Sequence, residues 1–134
     1  MIITHGDLSS SLISSASLIN NHSCSMVNCG LFHGDDIAEF EEKVRKIIIK
    51  QFELSNGDGV LILTDLFGGS PSNVVAKIMH ELSDLKIECV TGVNLPIVLQ
   101  STIKIENESL EELTEMLVQT GKDSIINLRK KYCM

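Results

Sequence analysis

His5 and Asp65 are the residues of this sequence whose types and surroundings most favour chemistry. His5 follows the short run Ile2–Thr4, and Asp65 follows the run Val60–Thr64. A carboxylate that accepts the N–H of an imidazole fixes the tautomer of the ring and stabilises its cation, which leaves the other ring nitrogen free as a nucleophile. The pair therefore suggests an activated histidine, provided that the fold brings the two side chains together.

A glycine-rich turn follows Asp65 and leads into a helical pattern; its residues are Leu66, Phe67, Gly68, Gly69, Ser70, Pro71 and Ser72. Glycines let a backbone approach a ligand closely, and the free N–H groups of a helix N-terminus suit a phosphoryl group. Because Pro71 has no N–H, other residues of the turn must donate to such a group: Gly68, Gly69, Ser70 and Ser72. The histidine, the carboxylate and the turn together point to a phosphohistidine.

Strand and helix patterns alternate along the chain. Strands are predicted over Ile2–Thr4, Met26–Phe32, Val60–Thr64 and Ile87–Thr91, although Gly30 is unusual within the second. Apolar spacing and capping signals predict helices from Leu8 to Asn20 or Asn21, from Ile37 to about Phe52, from Ser70 through Leu82, from about Pro96 to Ser101, and from Ser109 to Gly121. The stretch Ser124–Lys131 fits either an extension of the last helix or a final strand.

This alternation predicts an α/β fold with a doubly wound, mainly parallel sheet in the flavodoxin-like order 2-1-3-4. Ligands of such sheets bind beyond the carboxyl ends of the strands, where the strand order reverses. Strands 1 and 3 flank that point, so His5 and Asp65 would face one crevice. A length of 134 residues favours a single domain, residues 1–134.

The composition excludes several classes of protein. The formal net charge is -7, from 18 acidic and 11 basic residues, which disfavours binding to nucleic acid or to anionic lipid. No apolar run approaches the roughly 20 residues of a membrane span, and the first residues do not resemble a secretory signal. We therefore expect a cytoplasmic protein.

The four cysteines form no Cys-x-x-Cys pair, so we expect them to be reduced thiols. The grouping His22, Cys24, Cys29 and His33 has looser spacing than a zinc site usually has, and part of it lies on a predicted strand. Neither a metal nor another cofactor is expected.

Other interpretations of the same residues remain open. A serine hydrolase elbow, G-x-S-x-G, would need a glycine where Ser72 stands, and the order His5, Asp65, Ser70 is not that of an α/β-hydrolase. A phosphoaspartate receiver would need an acidic cluster after strand 1. A purely structural interpretation also exists, with His5 solvated and Asp65 bonded to its own turn.

Three segments together resemble the mannose-family enzyme IIA of the bacterial sugar phosphotransferase system (PTS): Ile2–Gly6, Leu63–Asn73 and Thr91–Ile97. The resemblance is collinear and extends to about residue 121. It implies a cytoplasmic phosphocarrier without a cofactor, in which His5 accepts a phosphoryl group from phospho-HPr and passes it to enzyme IIB. It also implies that Asp65 is the partner carboxylate and that Ser70, aided by Gly68 and Gly69, lies at the phosphate.

The resemblance further implies a homodimer, with a C-terminal segment of about residues 122–134 exchanged between subunits. Two residues depart from the family pattern: Leu66 replaces a frequent hydroxylic residue, and Asp7 adds a negative charge after His5. Two alternatives stay open. One is the phosphocarrier subunit of a dihydroxyacetone kinase, which shares the fold, and the other is a regulatory binding domain that has lost phosphotransfer.

Overall fold

A four-stranded parallel sheet forms the centre of the structure, a computed structural model that describes residues 1–103 and 108–133, apart from the side chain of Cys24. Its strands are β1 (Ile2–His5), β2 (Asn28–Leu31), β3 (Val60–Thr64) and β4 (Ile87–Val90). They lie in the order β2-β1-β3-β4, and every pairing is parallel. The predicted α/β class and strand order are confirmed.

Helices connect the strands and follow the last one. They are α1 (Leu8–Ser17), α2 (Ile37–Leu54), α3 (Ser70–Glu81), α4 (Leu95–Ser101), α5 (Leu110–Asp123) and α6 (Leu128–Lys131). Two predicted caps are present. Asp36 accepts the backbone N–H of Glu39 at the start of α2, and Ser109 forms a reciprocal capping box with Glu112 at the start of α5.

The core lies on both faces of the sheet, as expected for a doubly wound fold. Ile3 and Ile62 contribute to a buried cluster with residues of α2 and α3, among them Val44, Ile48, Val75 and Ile78. Ile2 and Leu63 contribute to a second cluster with residues of α1, α4 and α5, among them Ala16, Ile97, Val98 and Leu117. Successive strand residues therefore point to opposite faces, and both faces are covered by helices.

The predicted ends of one helix and one strand, α1 and β2, were wrong. Helix α1 ends at Ser17, short of the predicted Asn20 or Asn21, and a separate 3-10 helix follows over Asn21–Ser25. The side chain of Asn20 accepts the backbone N–H of His22 and caps this short helix. Strand β2 is also shorter than predicted and covers only Asn28–Leu31.

The prediction that Gly121 ends α5 was wrong, because the helix continues to Asp123. The glycine at position 121 instead allows close packing between two helices. A Cβ at Gly121 would lie 2.7 Å from Cδ1 of Ile97, so the missing side chain lets α5 approach α4 closely.

Beyond α5 the described chain forms no strand: residues 124–133 contain only the short helix α6. Exposed apolar side chains are frequent in this segment, namely Ile125, Ile126, Leu128 and Tyr132. No helix in the described parts of the chain is long and apolar enough to cross a membrane.

Three of the four cysteines have described side chains, and Cys29, Cys89 and Cys133 are all free. Burial raises the pKa of the Cys89 thiol to about 11, although Thr64 opposes the shift through a hydrogen bond. Burial likewise raises the pKa of Cys29. Both core thiols therefore stay protonated and unreactive near neutral pH.

The structure explains the glycine within β2. Gly30 pairs with Thr4 of β1, and a Cβ at Gly30 would lie 2.3 Å from the carbonyl oxygen of Gly6. The contact is with backbone, which cannot rotate away as a side chain can. Gly30 therefore allows the chain after β1 to pass directly over β2.

We predict that Gly30→Ala lowers the free energy of unfolding by about 1–3 kcal/mol, the usual cost of overpacking. Gly121→Ala is the matched control, because its added methyl meets the end of a side chain and alanine favours the helix. Urea unfolding of both variants checks this. A loss for Gly30→Ala no larger than that for Gly121→Ala would contradict the explanation.

Candidate active site

The carboxyl ends of β1 and β3 bring His5 and Asp65 into direct contact. His5 is the last residue of β1, and Asp65 follows the last residue of β3. The Oδ2 atom of Asp65 lies 2.9 Å from Nδ1 of His5 and also accepts the backbone N–H of His5 at 2.9 Å. The carboxylate thus holds both the main chain and the ring of the histidine.

The environment of Asp65 keeps its carboxyl group ionised. Partial burial alone would raise its pKa. Hydrogen bonds from the His5 backbone, the His5 ring and the Leu66 backbone outweigh that effect, so the pKa lies below the usual value of 3.8. Because a carboxylate can only accept, the hydrogen between the two residues belongs to Nδ1 of His5.

The opposite edge of the imidazole is open. The His5 side chain is 46% exposed, whereas that of Asp65 is only 13% exposed. In the described part of the chain Nε2 makes no hydrogen bond, and the edge formed by Cε1 and Nε2 faces Gly69, the N-terminal cap of α3. The Nε2 atom therefore lies beside the positive end of a helix.

The turn after Asp65 divides its predicted phosphate donors into two groups. Gly68, Gly69 and Ser70 lie along the turn at the start of α3, and of these Gly69 faces the open edge of His5, with its N–H bonded to the carbonyl of Leu66. Ser72 differs, because it is buried and its hydroxyl lies within 2.9 Å of the carbonyl oxygens of both Leu66 and Gly69. Its hydrogen is used inside the turn, so Ser72 holds the turn in shape.

The loop between β4 and α4 also supports the site through hydrogen bonds. The sequence patterns alone did not indicate this role. After β4, the backbone N–H of Gly92 donates to the carbonyl of Asp65, and that of Val93 donates to the carbonyl of Thr64. Asn94 then caps α4 and donates through Nδ2 to the hydroxyl of Ser124 at the end of α5. The motif Thr91–Ile97 thus anchors the residue that orients His5.

Exposed apolar side chains follow the carboxyl ends of the strands near His5, and we call these residues the apolar rim: Leu8, Phe32, Ile37, Leu66 and Phe67. Phe67 is 86% exposed. The residues that depart from the family pattern also lie here. Leu66 contributes a backbone N–H to Asp65, and Asp7 is exposed with no capping hydrogen bond from its side chain.

The cysteine and histidine grouping does not assemble a metal site in the described residues, where no cluster of three potential ligands is found. Cys29 is buried in the core, whereas His22 and His33 are exposed. The side chain of Cys24 lies outside the described part of the chain.

Fold and site together define a doubly wound α/β protein with a carboxylate-oriented histidine at the switch point of its sheet. Comparisons with known proteins agree. A family model described as "PTS system fructose IIA component" matches residues 1–118. The chain belongs to this family, the mannose-type enzyme IIA components of the PTS, and is thus a phosphotransferase-system component.

Individual relatives are distant but extend over most of the chain. The fructose-specific EIIA component of Bacillus subtilis is 29% identical over 92% of this chain and 82% of its own length. The mannose-specific EIIAB component of Escherichia coli is 26% identical over 98% of this chain, which spans only 39% of that relative. A solved mannose/sorbose-specific IIA subunit from Enterococcus faecalis shares the fold, with a TM-score of 0.81, 22% identity and coverage of 94% and 90% of the two chains.

The depressed pKa of Asp65 predicts a specific pH dependence of stability. A group whose pKa is lowered by folding stabilises the protein above its usual value, here 3.8, and loses that contribution as the pH falls through the lower value of the folded state. We therefore expect the free energy of unfolding to fall more steeply below pH 3.8 in the wild type than in Asp65→Asn. Urea unfolding across this range measures both slopes, and equal slopes would contradict the assigned hydrogen bonds.

Proposed function

We propose that the protein is a phosphocarrier in which His5 accepts a phosphoryl group from phospho-HPr and passes it to enzyme IIB. The observation that carries this proposal is the contact of 2.9 Å between Nδ1 of His5 and Asp65, which leaves Nε2 open beside the start of α3. Family membership supports the same assignment.

The transfer step follows from the two ring nitrogens. The lone pair of Nε2 attacks the phosphorus, and the bond between phosphorus and the donor histidine breaks, with its electron pair returning to the donor ring. His5 then carries the phosphoryl group on Nε2 and keeps its hydrogen on Nδ1. Asp65 stabilises the positive charge that develops on the ring.

The turn after Asp65 supplies hydrogen-bond donors for the phosphoryl oxygens. The backbone N–H of Gly68 and the residue Ser70 would donate to them, and the N-terminus of α3 favours their negative charge. The N–H of Gly69 already donates to the carbonyl of Leu66. Ser72 acts indirectly, because its hydroxyl already bonds to two carbonyls. Preorganised donors of this kind stabilise a phosphoryl-transfer transition state mainly through position and charge.

The apolar rim suits the docking of protein partners over His5. A phosphocarrier must bind its donor and its acceptor in turn, so each complex must dissociate readily. Five exposed apolar side chains, which follow the carboxyl ends of β1, β2 and β3, offer a small hydrophobic surface for such contacts. We propose that HPr and enzyme IIB both use this surface, in the cytoplasm.

Phosphorylation of His5 is tested by incubation with enzyme I, HPr and phosphoenolpyruvate, followed by intact mass spectrometry. The wild type should gain one acid-labile phosphoryl group, and His5→Ala should gain none. Labelling of His5→Ala would overturn the assignment. No labelling of the wild type, with a known IIA protein labelled as a control, would favour a regulatory domain. Productive transfer to dihydroxyacetone kinase partners would favour that alternative.

Asp65→Asn should slow phosphorylation on the order of 100-fold, because the amide neither orients the ring in the same way nor stabilises its charge. Asp84→Asn is the matched control, since Asp84 is an exposed carboxylate between α3 and β4. Rates are read from quenched samples by intact mass. An unchanged rate for Asp65→Asn would remove its proposed role.

We further propose that the protein is a homodimer that buries the C-terminal segment of about residues 122–134 against a partner subunit. Two features support this: Ile125 is 83% exposed, and β4 is at the edge of the described sheet, paired only with β3. Apolar side chains and an open strand edge both favour a partner. We also propose that residues 1–134 form a single domain.

The dimer predicts that Ile125→Ser combined with Ile126→Ser lowers the molecular mass found by sedimentation equilibrium. Leu18→Ser is the matched control, because Leu18 is 89% exposed at the end of α1 and lies outside the segment. A monomeric wild type, or a double variant that stays as dimeric as Leu18→Ser, would contradict the proposed interface.

A further inference from the structure

The adjacent residues Gly68 and Gly69 are glycines for two different physical reasons. Gly68 has a φ of +80°, which side chains rarely adopt, yet an added Cβ would meet nothing within 4 Å. Gly69 has a φ of -75° and a ψ of 162°, which any residue adopts, but an added Cβ would lie 2.8 Å from Cε1 of His5. Gly68 is therefore required for its conformation, and Gly69 is required for space.

The backbone at Gly69 is held in place. Its N–H donates to the carbonyl of Leu66 at 3.1 Å, and its own carbonyl accepts from the buried hydroxyl of Ser72 at 2.9 Å. The neighbouring carbonyl of Gly68 accepts from the side chain of Asn73 at 3.1 Å. A methyl group at position 69 would therefore meet a turn that cannot easily retreat.

The imidazole of His5 is the part that can move. Its side chain is 46% exposed, and among the residues that the structure describes its ring makes one hydrogen bond, from Nδ1 to Asp65. The atom nearest to an added methyl would be Cε1 at the far end of this side chain, at 2.8 Å, followed by the carbonyl oxygen of Leu66 at 3.3 Å. Rotation of the ring away from position 69 relieves the contact, but the same rotation draws Nδ1 away from the carboxylate.

We propose that Gly69 is a positioning residue for His5. Asp65 restrains the Nδ1 edge of the ring, and the missing side chain at Gly69 leaves room for the opposite edge, so that the imidazole can keep the rotation in which it bonds to Asp65. Nε2 is thereby directed toward the start of α3. The effect of Gly69 on phosphoryl transfer rests on the proposed function. Its effect on the orientation of the ring can be tested without any partner protein.

The first test is nitrogen NMR of the imidazole in the unphosphorylated protein. The wild type should show His5 with its hydrogen on Nδ1, and Gly69→Ala should shift the ring toward the other tautomer or a mixture of both. Gly68→Asn is the control, because asparagine tolerates a positive φ and the position is open, so the His5 signals should stay as in the wild type. Wild-type His5 signals in Gly69→Ala would overturn the proposal.

The second test is a double-mutant cycle on stability, which also covers the outcome that Gly69→Ala alone does not fold. In a His5→Ala background the methyl at position 69 meets no imidazole and keeps only its contact of 3.3 Å with the carbonyl oxygen of Leu66, so its effect on unfolding should be smaller. If Gly69→Ala is unfolded by itself, His5→Ala should restore folding. An equal effect of Gly69→Ala in both backgrounds, or no restoration, would show that the methyl acts elsewhere.

The catalytic consequence is measured separately. Phosphorylation of Gly69→Ala by HPr should be on the order of 100-fold slower, as expected when a reacting atom is displaced by about 1 Å. A wild type that shows the Nδ1 tautomer but accepts no phosphoryl group would refute the proposed function while leaving the positioning of the ring intact. A normal rate in Gly69→Ala would refute the positioning role.

Discussion

The carboxylate of Asp65 is the group on which the organisation of the site depends. It accepts the backbone N–H and the ring Nδ1 of His5 through one oxygen, and the N–H of Leu66 through the other. These bonds tie the ends of two neighbouring strands together and keep the carboxyl group ionised. One carboxylate therefore holds both the main chain and the ring of the histidine.

The other loops serve this carboxylate or its histidine. Gly92 holds the backbone of Asp65 from the direction of β4, while Ser72 keeps the following turn in shape. Gly69 completes the arrangement by leaving room for the ring. Each loop extends from the same edge of the sheet, because parallel strands present all their carboxyl ends together. The loops after β1, β3 and β4 thus all contribute to the surroundings of the His5 ring.

Alternating strand and helix patterns were sufficient to predict the sheet order, since right-handed crossovers leave few arrangements of four parallel strands. The contact between His5 and Asp65 followed from that order. The ends of elements were harder to predict. Gly121 has the residue type of a helix stop, but it lies inside α5 because Ile97 packs against it, a contact that local sequence does not reveal. Ser72 likewise resembled a phosphate donor until its hydroxyl was found bonded to two carbonyls.

The sequence by itself determined the fold class, the pairing of a histidine with a carboxylate and the family, because these depend on residue types at fixed points of a regular pattern. Only the tertiary structure decided which ring nitrogen is free, which serine holds the turn and why two adjacent glycines are not equivalent. These properties depend on distances of about 3 Å between segments that are remote in the chain, such as the 2.9 Å between His5 and Asp65. Such distances are set by how helices and strands pack, and no local pattern encodes them.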